Sequence, residues 1–209
     1  MTTARGAWIT LEGGDGSGKT TQSNLLADWL EQQGHRVVRT REPGGTEVGT
    51  LIREIVLHHR GDIAPRAEAL LYAADRAHHV ATVVRPALAR GAVVLQDRYL
   101  DSSVAYQGAG RVLDATEVRD LSLWAAEGAL PDLTVLLDLD PAAARSRLDS
   151  ADKPFDRLEA EQAEFHSRVR QAYLGLAAAE PERFLVLDAA QSPEVIGERI
   201  RARVAALLD

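Results

Sequence analysis

The chain has 209 residues, a formal net charge of −7 and 45% hydrophobic residues. Its length suits one α/β domain, and its acidic balance argues against a general nucleic-acid binder or membrane-surface binder. It contains no cysteine, which excludes disulfides and thiolate chemistry, and it has no apolar run as long as a membrane span. Strand-like residues begin at Ala7, so we expect no signal peptide and a cytoplasmic protein.

Five short apolar runs read as strands buried on both faces, because they are rich in Val, Ile and Leu and alternate little with polar residues. They lie at residues 7–12, 36–40, 92–96, 133–139 and 183–188. Amphipathic patterns between them predict helices at 19–33, 46–58, 65–89, 114–127, 141–149, 156–179 and 192–208. The repeated strand–helix units predict an α/β fold built on a parallel sheet with right-handed crossovers.

The boundaries of these elements carry capping signals, at Gly34, Gly91, Asp140-Pro141 and Ser192-Pro193. No internal repeat, low-complexity tract or linker interrupts the pattern, so we expect a single domain over residues 1–209. The least regular stretch, 146–157, is polar and charged. It is either a mobile lid or a surface loop.

The most specific motif follows the first predicted strand and opens the first predicted helix. It reads Gly13-x-x-x-x-Gly18-Lys19-Thr20, in the strand–loop–helix context that a phosphate-binding loop requires. Its glycines let backbone N–H groups turn inward around phosphate oxygens, and the helix N-terminus adds partial positive charge. Lys19 would reach the β- and γ-phosphates, and the Thr20 hydroxyl would bind Mg²⁺. We predict nucleoside triphosphate binding at Gly13, Gly14, Asp15, Gly16, Ser17, Gly18, Lys19, Thr20 and Thr21.

A carboxylate at the end of another strand should complete the metal site. Asp97 fits, because Arg98 and Tyr99 follow it at the edge of the sheet where ligands bind in open α/β folds. Asp138 ends the fourth predicted strand and is the rival candidate. An aspartate at the end of a strand can also serve only as a helix cap, so this alternative stays open for both.

Three clusters concern a second substrate. Residues 40–46, "TREPGGT", leave the second strand at the same edge of the sheet. Tyr72 and Arg76 lie four residues apart on one helix face, and a ring beside a guanidinium suits a nucleobase or a phosphate. The segment 101–111 is bounded by glycines and contains hydroxyl side chains together with Tyr106 and Gln107. The competing interpretation of Tyr72 and Arg76 is a core tyrosine with a solvated arginine. The competing interpretation of 101–111 is a polar surface loop.

These motifs occur together in one known family. The chain resembles the bacterial thymidylate kinases, which are P-loop nucleoside-monophosphate kinases, nearly from end to end. The motifs that carry the resemblance are "LEGGDGSGKTTQ", "TREPGGT", "AEALLYAADRAHH", "QDRYLDSSVAYQGAGR", "LPDLTVLLDLDP", "FDRLE" with "FHSRVRQAYLGLA", and "VLDAAQSPEVI". The resemblance implies a P-loop NTPase fold with a five-stranded parallel sheet flanked by helices, a homodimer to which 65–89 contributes, and transfer of phosphate from ATP to dTMP with Mg²⁺.

The resemblance also implies roles for residues around the dTMP phosphate and sugar. Asp15 matches the acid that contacts the 3′-hydroxyl, and Arg98 matches a ligand of the phosphate beside the metal-site residue Asp97. Arg41 and Glu42 would line the monophosphate pocket, and Tyr106 would lie beneath the deoxyribose.

Around the bases, the resemblance assigns Arg76 to the thymine carbonyl and the pair Ser102 and Ser103 to the base edge. Gln191 falls in the loop beside adenine. Tyr72 stands at the stacking position, which is often Phe in the family, and its hydroxyl needs a partner.

The phosphate loop contains no cation before Lys19, so the charge that develops on the transferred group must be neutralised from elsewhere. The candidates are Arg145, Arg147, Lys153 and Arg157, as in family members whose lid supplies the arginine. We favour Arg147 and Arg157, because a forked guanidinium bridges phosphate oxygens better than a point charge. Arg168 lies eleven residues after Arg157, so one helix would carry both on one side. The alternative is that these are solvated lid charges.

Other functions remain to be separated from this one. A P-loop kinase that acts on a different monophosphate would differ only in the substrate clusters. A nucleotide switch that hydrolyses slowly would, as a GTPase, carry an Asn-Lys-x-Asp signature, which the sequence lacks. A P-loop domain without catalysis is disfavoured, because Lys19, Thr20 and Asp97 are all present.

Overall fold

The computed structural model describes residues 6–110, 113–150 and 156–208. All five strands are parallel and form one sheet in the order β2-β3-β1-β4-β5. They are β1 (Trp8–Glu12), β2 (Val37–Arg41), β3 (Val93–Asp97), β4 (Leu133–Asp138) and β5 (Phe184–Asp188). Each strand lies within one residue of its predicted bounds. The predicted five-stranded parallel sheet is confirmed.

Helices cover both faces of the sheet. They are α1 (Lys19–Gln32), α2 (Glu47–His58), α3 (Pro65–His79), α4 (Arg85–Ala89), α5 (Leu100–Ser103), α6 (Ala115–Ala125), α7 (Pro141–Asp149), α8 (Ala163–Ala179) and α9 (Pro193–Leu208). Two π-helical stretches, Val80–Val84 and Val104–Gly110, continue α3 and α5. Within the residues described, no helix combines the length and apolarity that crossing a bilayer requires.

The core lies on both faces of the sheet, as near-continuous apolar strands predict. On one face, alternate strand residues such as Leu95 and Val135 pack against Leu30 of α1 and Ile200 of α9. On the other face the strands meet α3, α4, α5 and α8. Because the order places β1 between β3 and β4, the carboxyl ends of these strands flank a crevice at the topological switch point.

The helix-capping signals are confirmed. Gly34 and Gly91 have positive φ angles of 86° and 73°, and each follows its helix after one C-cap residue. The Asp140 side chain accepts a hydrogen bond from Ala142 N at 2.9 Å, with Pro141 in the first turn of α7.

Residues 65–89 are helical throughout but do not form one regular α-helix. Between α3 and α4 the chain widens to a π-helical stretch, where Arg85 N donates to Val80 O. Pro86 explains the change, because its ring lacks an N–H and clashes with the carbonyl group of Thr82 four residues earlier.

The prediction of one helix over 156–179 is wrong at its start, because α8 begins at Ala163. The Asp156 carboxylate accepts hydrogen bonds from the backbone N–H groups of Leu158 and Glu159, each at 2.9 Å, and so closes a separate turn. Arg157 lies in that turn, so it does not share a helix with Arg168 as expected.

Residues 101–110 are helical, whereas the sequence favoured no helix there. Their polar side chains resemble those of a loop, but Ser103, Tyr106 and Gln107 are buried. These side chains contact other polar groups inside the protein. A prediction from composition alone places polar side chains in solvent, and so it expects a loop here. Arg111, the last residue of the predicted segment, lies outside the described residues, as do positions 151–155 of the predicted lid.

Candidate active site

The loop between β1 and α1 follows a backbone path that requires glycine. Gly13 and Gly18 have φ angles of 134° and 95°, in the left-handed region that other residues rarely adopt. A Cβ atom on Gly13 would lie 2.4 Å from the carbonyl oxygen of Leu137. Helix α1 then begins with no side-chain cap and no acidic residue in its first turn. Its first N–H groups are therefore left for an anion.

Two polar side chains inside this loop complete an anion site. Lys19 Nζ donates to the carbonyl oxygens of Gly13 and Gly14 at 3.0 and 2.9 Å. Burial and the positive charge of Arg98 lower the pKa of Lys19, and nearby carboxylates oppose that shift. Ser17 Oγ is buried and has no hydrogen-bond partner among the described residues. An ammonium group and an unpaired hydroxyl beside bare backbone suit a chain of phosphates.

The two rival carboxylates for a metal ion are in different states. Asp138 forms a two-point ion pair with Arg170, with Oδ1 to Nε at 2.7 Å and Oδ2 to Nη2 at 3.0 Å. Asp97 Oδ1 is buried and accepts no hydrogen bond from any residue that the structure describes. A buried carboxylate oxygen without a donor is costly unless a cation or water satisfies it. The donor set Asp97 and Thr20, the latter exposed in the first turn of α1, fits Mg²⁺ better than Asp138 does.

A polar pocket opens beside the phosphate loop. It brings together nine of the ten predicted substrate residues, namely Asp15, Glu42, Tyr72, Arg76, Arg98, Ser102, Ser103, Tyr106 and Gln107. The tenth, Arg41, ends β2 with an exposed side chain and does not line this pocket. Six further residues complete the lining, namely Pro43, Arg53, Leu57, Tyr99, Asp156 and Leu158. These fifteen residues are called the polar pocket below.

Arg76 is almost fully buried in the polar pocket and is held by three side chains. Its Nε donates to Glu42 Oε2 at 3.0 Å, Nη1 to Ser122 Oγ at 2.9 Å, and Nη2 to Ser103 Oγ at 3.0 Å. The other oxygen of Glu42 lies 2.8 Å from His79 Nδ1. Each terminal nitrogen of Arg76 has a second N–H, which can serve a ligand in a fixed direction.

Arg98 links the polar pocket to the phosphate loop. Its Nη2 donates to Asp15 Oδ1 at 2.5 Å and to the Tyr106 hydroxyl at 3.3 Å, and that hydroxyl donates to Asp15 Oδ2 at 3.2 Å. Burial would raise the pKa of Asp15, but the positive charges of Arg98 and Lys19 outweigh burial and lower it. An ionised acid and a guanidinium thus stand where the two sites meet.

The predicted lid cations lie in different places. Arg147 Nη1 donates to Gly16 O at 3.3 Å and Nη2 to Ala189 O at 2.9 Å, so this guanidinium lies against the phosphate loop. Arg157 Nε donates to Val56 O at 2.9 Å, and its guanidinium forms an ion pair with buried Glu68.

Three further predicted residues are Arg145, Lys153 and Gln191. Arg145 is exposed and pairs with Asp149 within α7, and Lys153 lies outside the described residues. Gln191 is exposed in the turn after β5, close to the Ala189 carbonyl that Arg147 contacts. Among the described lid cations, Arg147 donates a hydrogen bond to the phosphate loop, and Arg145 lines a pocket that Gly13, Gly14 and Asp15 also line.

Sequence reasoning missed several groups behind the pocket. Glu12 is completely buried, and burial together with the charge of Asp101 raises its pKa to about 7. Tyr173 donates to Glu12, and Glu68 accepts from Gln107 Nε2 at 2.9 Å. A glutamate inside an apolar strand was the one visible signal, because glutamate is seldom fully buried without partners.

Comparison with known proteins agrees with this geometry. The family model described as thymidylate kinase matches residues 11–200. A thymidylate kinase of Clavibacter sepedonicus is 78% identical over 203 residues, covering 97% of this chain and 96% of the relative. One from Bifidobacterium longum subsp. infantis is 56% identical over 207 residues, covering 97% of this chain and 88% of the relative.

Among solved structures, the chain is similar to the crystal structure of thymidylate kinase from Ehrlichia chaffeensis. The TM-score is 0.78 at 30% sequence identity, with 96% of this chain and 99% of the other covered. The predicted P-loop NTPase fold is thereby confirmed. Sequence and fold agree over nearly the whole length, and the chain belongs to the thymidylate kinase family.

Proposed function

We propose that the polar pocket holds dTMP, that the phosphate loop holds ATP, and that the γ-phosphoryl group passes between them beside Arg98. As a member of its family the chain phosphorylates dTMP to dTDP with ATP, in the supply of dTTP. The observation that carries the placement is Asp15, which belongs to the phosphate loop, lines the polar pocket and pairs with Arg98. Both substrates belong to the cytoplasmic nucleotide pool, so we place the enzyme in the cytoplasm.

Thymine recognition would rest on Arg76 and Tyr72. Arg76 is immobilised by Glu42, Ser103 and Ser122, so its second N–H groups meet a carbonyl oxygen without loss of side-chain freedom. Tyr72 lines the same pocket, and its ring offers a face for stacking. Its hydroxyl has no hydrogen-bond partner among the described residues, so the ligand or water would supply that partner.

Transfer asks the protein mainly for position and charge. The acceptor oxygen of dTMP is anionic near neutral pH, so no general base is needed. Arg98 would hold this oxygen against repulsion from the γ-phosphate. Its Nη1 donates to the hydroxyls of Ser102 and Tyr173 at 3.2 and 3.3 Å, and these bonds fix the direction of the guanidinium. Lys19 would exchange its two carbonyl contacts for the β- and γ-phosphates.

Mg²⁺ would be held by Asp97 and by the Thr20 hydroxyl, together with phosphate oxygens. The support is the buried, unpaired Oδ1 of Asp97 and the commitment of Asp138 to Arg170. When bound, the ion would supply positive charge that offsets the negative charge of the phosphates.

A coupled assay of ADP release tests the proposed activity. We expect rapid ADP release from ATP only when a monophosphate acceptor is present, and dTMP should be the best acceptor. dUMP should be a weaker acceptor but not an excluded one, because the thymine methyl group adds only apolar contact. ADP release at the same rate without an acceptor would support the slow nucleotide switch instead.

Tyr106 should set the choice of sugar. Its ring is buried against Phe165 and Tyr173, with centroids at 6.0 and 6.4 Å, so it cannot move aside for a 2′-hydroxyl. We expect UMP to be used about 10- to 200-fold less well than dUMP. Tyr106→Phe should keep most of this selectivity and Tyr106→Ala should lose it, measured as the ratio of kcat/KM values. Equal use of UMP and dUMP by the wild-type enzyme would contradict the placement of Tyr106.

We also propose a homodimer. Val48, Leu51 and Ile55 lie on one face of α2 and are 45%, 68% and 45% exposed. Leu70 of α3 and Trp124 of α6, on neighbouring helices, are 57% and 79% exposed. Exposed apolar side chains concentrated on three neighbouring helices favour an interface, and Leu70 belongs to the predicted contribution from 65–89.

Leu51→Glu should convert the dimer to a monomer, because it buries an unpaired charge at the centre of this face. Light scattering after gel filtration measures the mass directly. Val195→Glu is the matched control, since Val195 is 43% exposed on α9, outside this face. A Leu51→Glu protein that keeps twice the mass of the 22.7 kDa chain would show that the interface lies elsewhere.

A further inference from the structure

Arg98 holds a backbone conformation that residues other than glycine seldom adopt. Its φ angle is 66°, in the left-handed region. Three hydrogen bonds fix this turn. Arg98 N donates to Leu11 O at 3.0 Å, Gln96 Nε2 donates to Arg98 O at 3.0 Å, and Tyr99 N donates to Glu12 Oε1 at 2.7 Å. The chain therefore leaves β3 abruptly at Arg98, and Glu12 holds the far side of that turn.

The second oxygen of Glu12 reaches the guanidinium of Arg98 through two hydroxyls. Glu12 Oε2 accepts from Ser102 Oγ at 2.6 Å and from the Tyr173 hydroxyl at 2.8 Å. Arg98 Nη1 donates to the same two oxygens, at 3.2 and 3.3 Å. A hydroxyl that gives its proton to a carboxylate turns its lone pairs away from it. The two hydroxyl oxygens also lie 2.8 Å apart, and either one could donate to the other. At least one of the two hydroxyls therefore gives its proton to Glu12 and is oriented to accept from Arg98.

Glu12 has no contact with either predicted substrate position. It is completely buried and does not line the polar pocket. The charged groups that act on it are Asp101, Arg98 and Lys19, and Asp101 is itself paired with Arg183 at 2.7 Å. A buried carboxylate at the end of an apolar strand is costly to desolvate, so its partners must account for its presence. Its three hydrogen-bond donors are Tyr99 N and the hydroxyls of Ser102 and Tyr173. Tyr99 directly follows Arg98, and both hydroxyls accept from Arg98.

We propose that Glu12 is a positioning residue for dTMP, which fixes both the backbone turn and the guanidinium direction of Arg98. The inference rests on the proposed contact between Arg98 and the dTMP phosphate. Without the carboxylate, Arg98 keeps its charge and loses its fixed direction. The loss should therefore appear in the use of dTMP and not in the binding of ATP.

Glu12→Gln tests this with little change of shape. The amide oxygen still accepts from Tyr99 N, but the amide N–H₂ group now points toward the hydroxyls of Ser102 and Tyr173. This N–H₂ group competes with Arg98 for the lone pairs of the two hydroxyls. We expect kcat/KM for dTMP to fall about 10- to 100-fold, as when a hydrogen bond to a charged group is lost. KM for ATP should change less than about threefold. Tyr173→Phe should show a smaller loss in the same direction, and the two changes combined should not be additive.

Asp132→Asn is the matched control. Asp132 accepts a backbone hydrogen bond from Trp8 N at 2.8 Å, at the other end of β1. The variant changes a carboxylate that, like Glu12, accepts a backbone hydrogen bond but lies at the far end of β1, just before β4. It should leave the kinetics of dTMP unchanged. If Glu12→Gln does not fold, Tyr173→Phe carries the test, because it removes only a hydroxyl.

Arg98→Ala separates the inference from the function it rests on. If Arg98→Ala leaves dTMP binding unchanged in calorimetry, the proposed contact of Arg98 with dTMP is wrong. If Arg98→Ala weakens dTMP binding but Glu12→Gln and Tyr173→Phe leave it unchanged, only the role of Glu12 is wrong. Equal changes in the KM values of both substrates would also overturn it, since they indicate a general structural effect.

Discussion

Lys19→Ala should reduce phosphoryl transfer in a single turnover by about 10³-fold or more, because no other cation lies inside the phosphate loop to meet the charge on the transferred group. Among the described residues, Lys19 Nζ forms hydrogen bonds only with the carbonyl oxygens of Gly13 and Gly14, so the fold should survive its removal. The binding of dTMP should persist as well, because Lys19 does not line the polar pocket. Rapid-quench measurement of ADP and dTDP tests the first expectation, and calorimetry with dTMP tests the second.

Arg39→Ala is the control for the loss of a positive charge as such. Arg39 is exposed on β2, where its guanidinium contacts Asn24, and it lines neither site. Transfer by Arg39→Ala should match the wild-type rate. If Lys19→Ala also transfers phosphate within tenfold of wild type, its assigned role in the phosphate loop is wrong.

The phosphate loop could be predicted from sequence because its chemistry is local. Positive φ angles at Gly13 and Gly18, and an uncapped helix start at Lys19, are properties of neighbours in the chain. The sheet could also be predicted from sequence, since parallel strands buried on both faces need near-continuous apolar runs. The residues that meet in the polar pocket were predicted from the family resemblance. Their positions along the chain alone do not predict that they lie close together in space.

The state of each carboxylate could not be predicted, because its partner lies far away in sequence. Asp97 and Asp138 both end strands, and only the ion pair of Asp138 with Arg170, 32 residues later, distinguishes them. Glu12 likewise depends on Tyr173, which is 161 residues distant. Such pairings decide which acid is neutralised and which remains for a cation, and local patterns do not contain them.

The helix at 101–110 shows the opposite limitation. Composition predicts that hydroxyl and amide side chains are exposed to solvent. Here Ser103 and Gln107 are buried, because their hydrogen-bond partners Arg76 and Glu68 are buried with them. A polar interior of this kind suits a ligand that is itself polar. The buried polar side chains explain both why the sequence did not predict this helix and why a polar pocket lies beside it.

The cation for the transition state is expected from the lid, and the positions of the candidates now rank them. Arg147 lies against the phosphate loop through Gly16 O, and it is exposed, so its guanidinium can turn without breaking a buried contact. Arg157 is held by Glu68 and by the Val56 carbonyl on the side of α2. Unless that ion pair breaks, Arg157 cannot reach the phosphates. We therefore propose Arg147 as the primary lid cation.

Arg147→Ala should reduce kcat by about 10³-fold, by analogy with arginine fingers, while the affinity for ATP changes much less. Arg39→Ala is the control here too, because Arg39 is an exposed arginine that lines neither site and is not a lid candidate. Single-turnover transfer measured in alanine variants of Arg145, Arg147, Lys153 and Arg157 decides among the four. A loss confined to Arg157 would mean that its ion pair opens during the reaction. If all four variants stay within tenfold of wild type, the lid does not supply the cation and this account of catalysis is wrong.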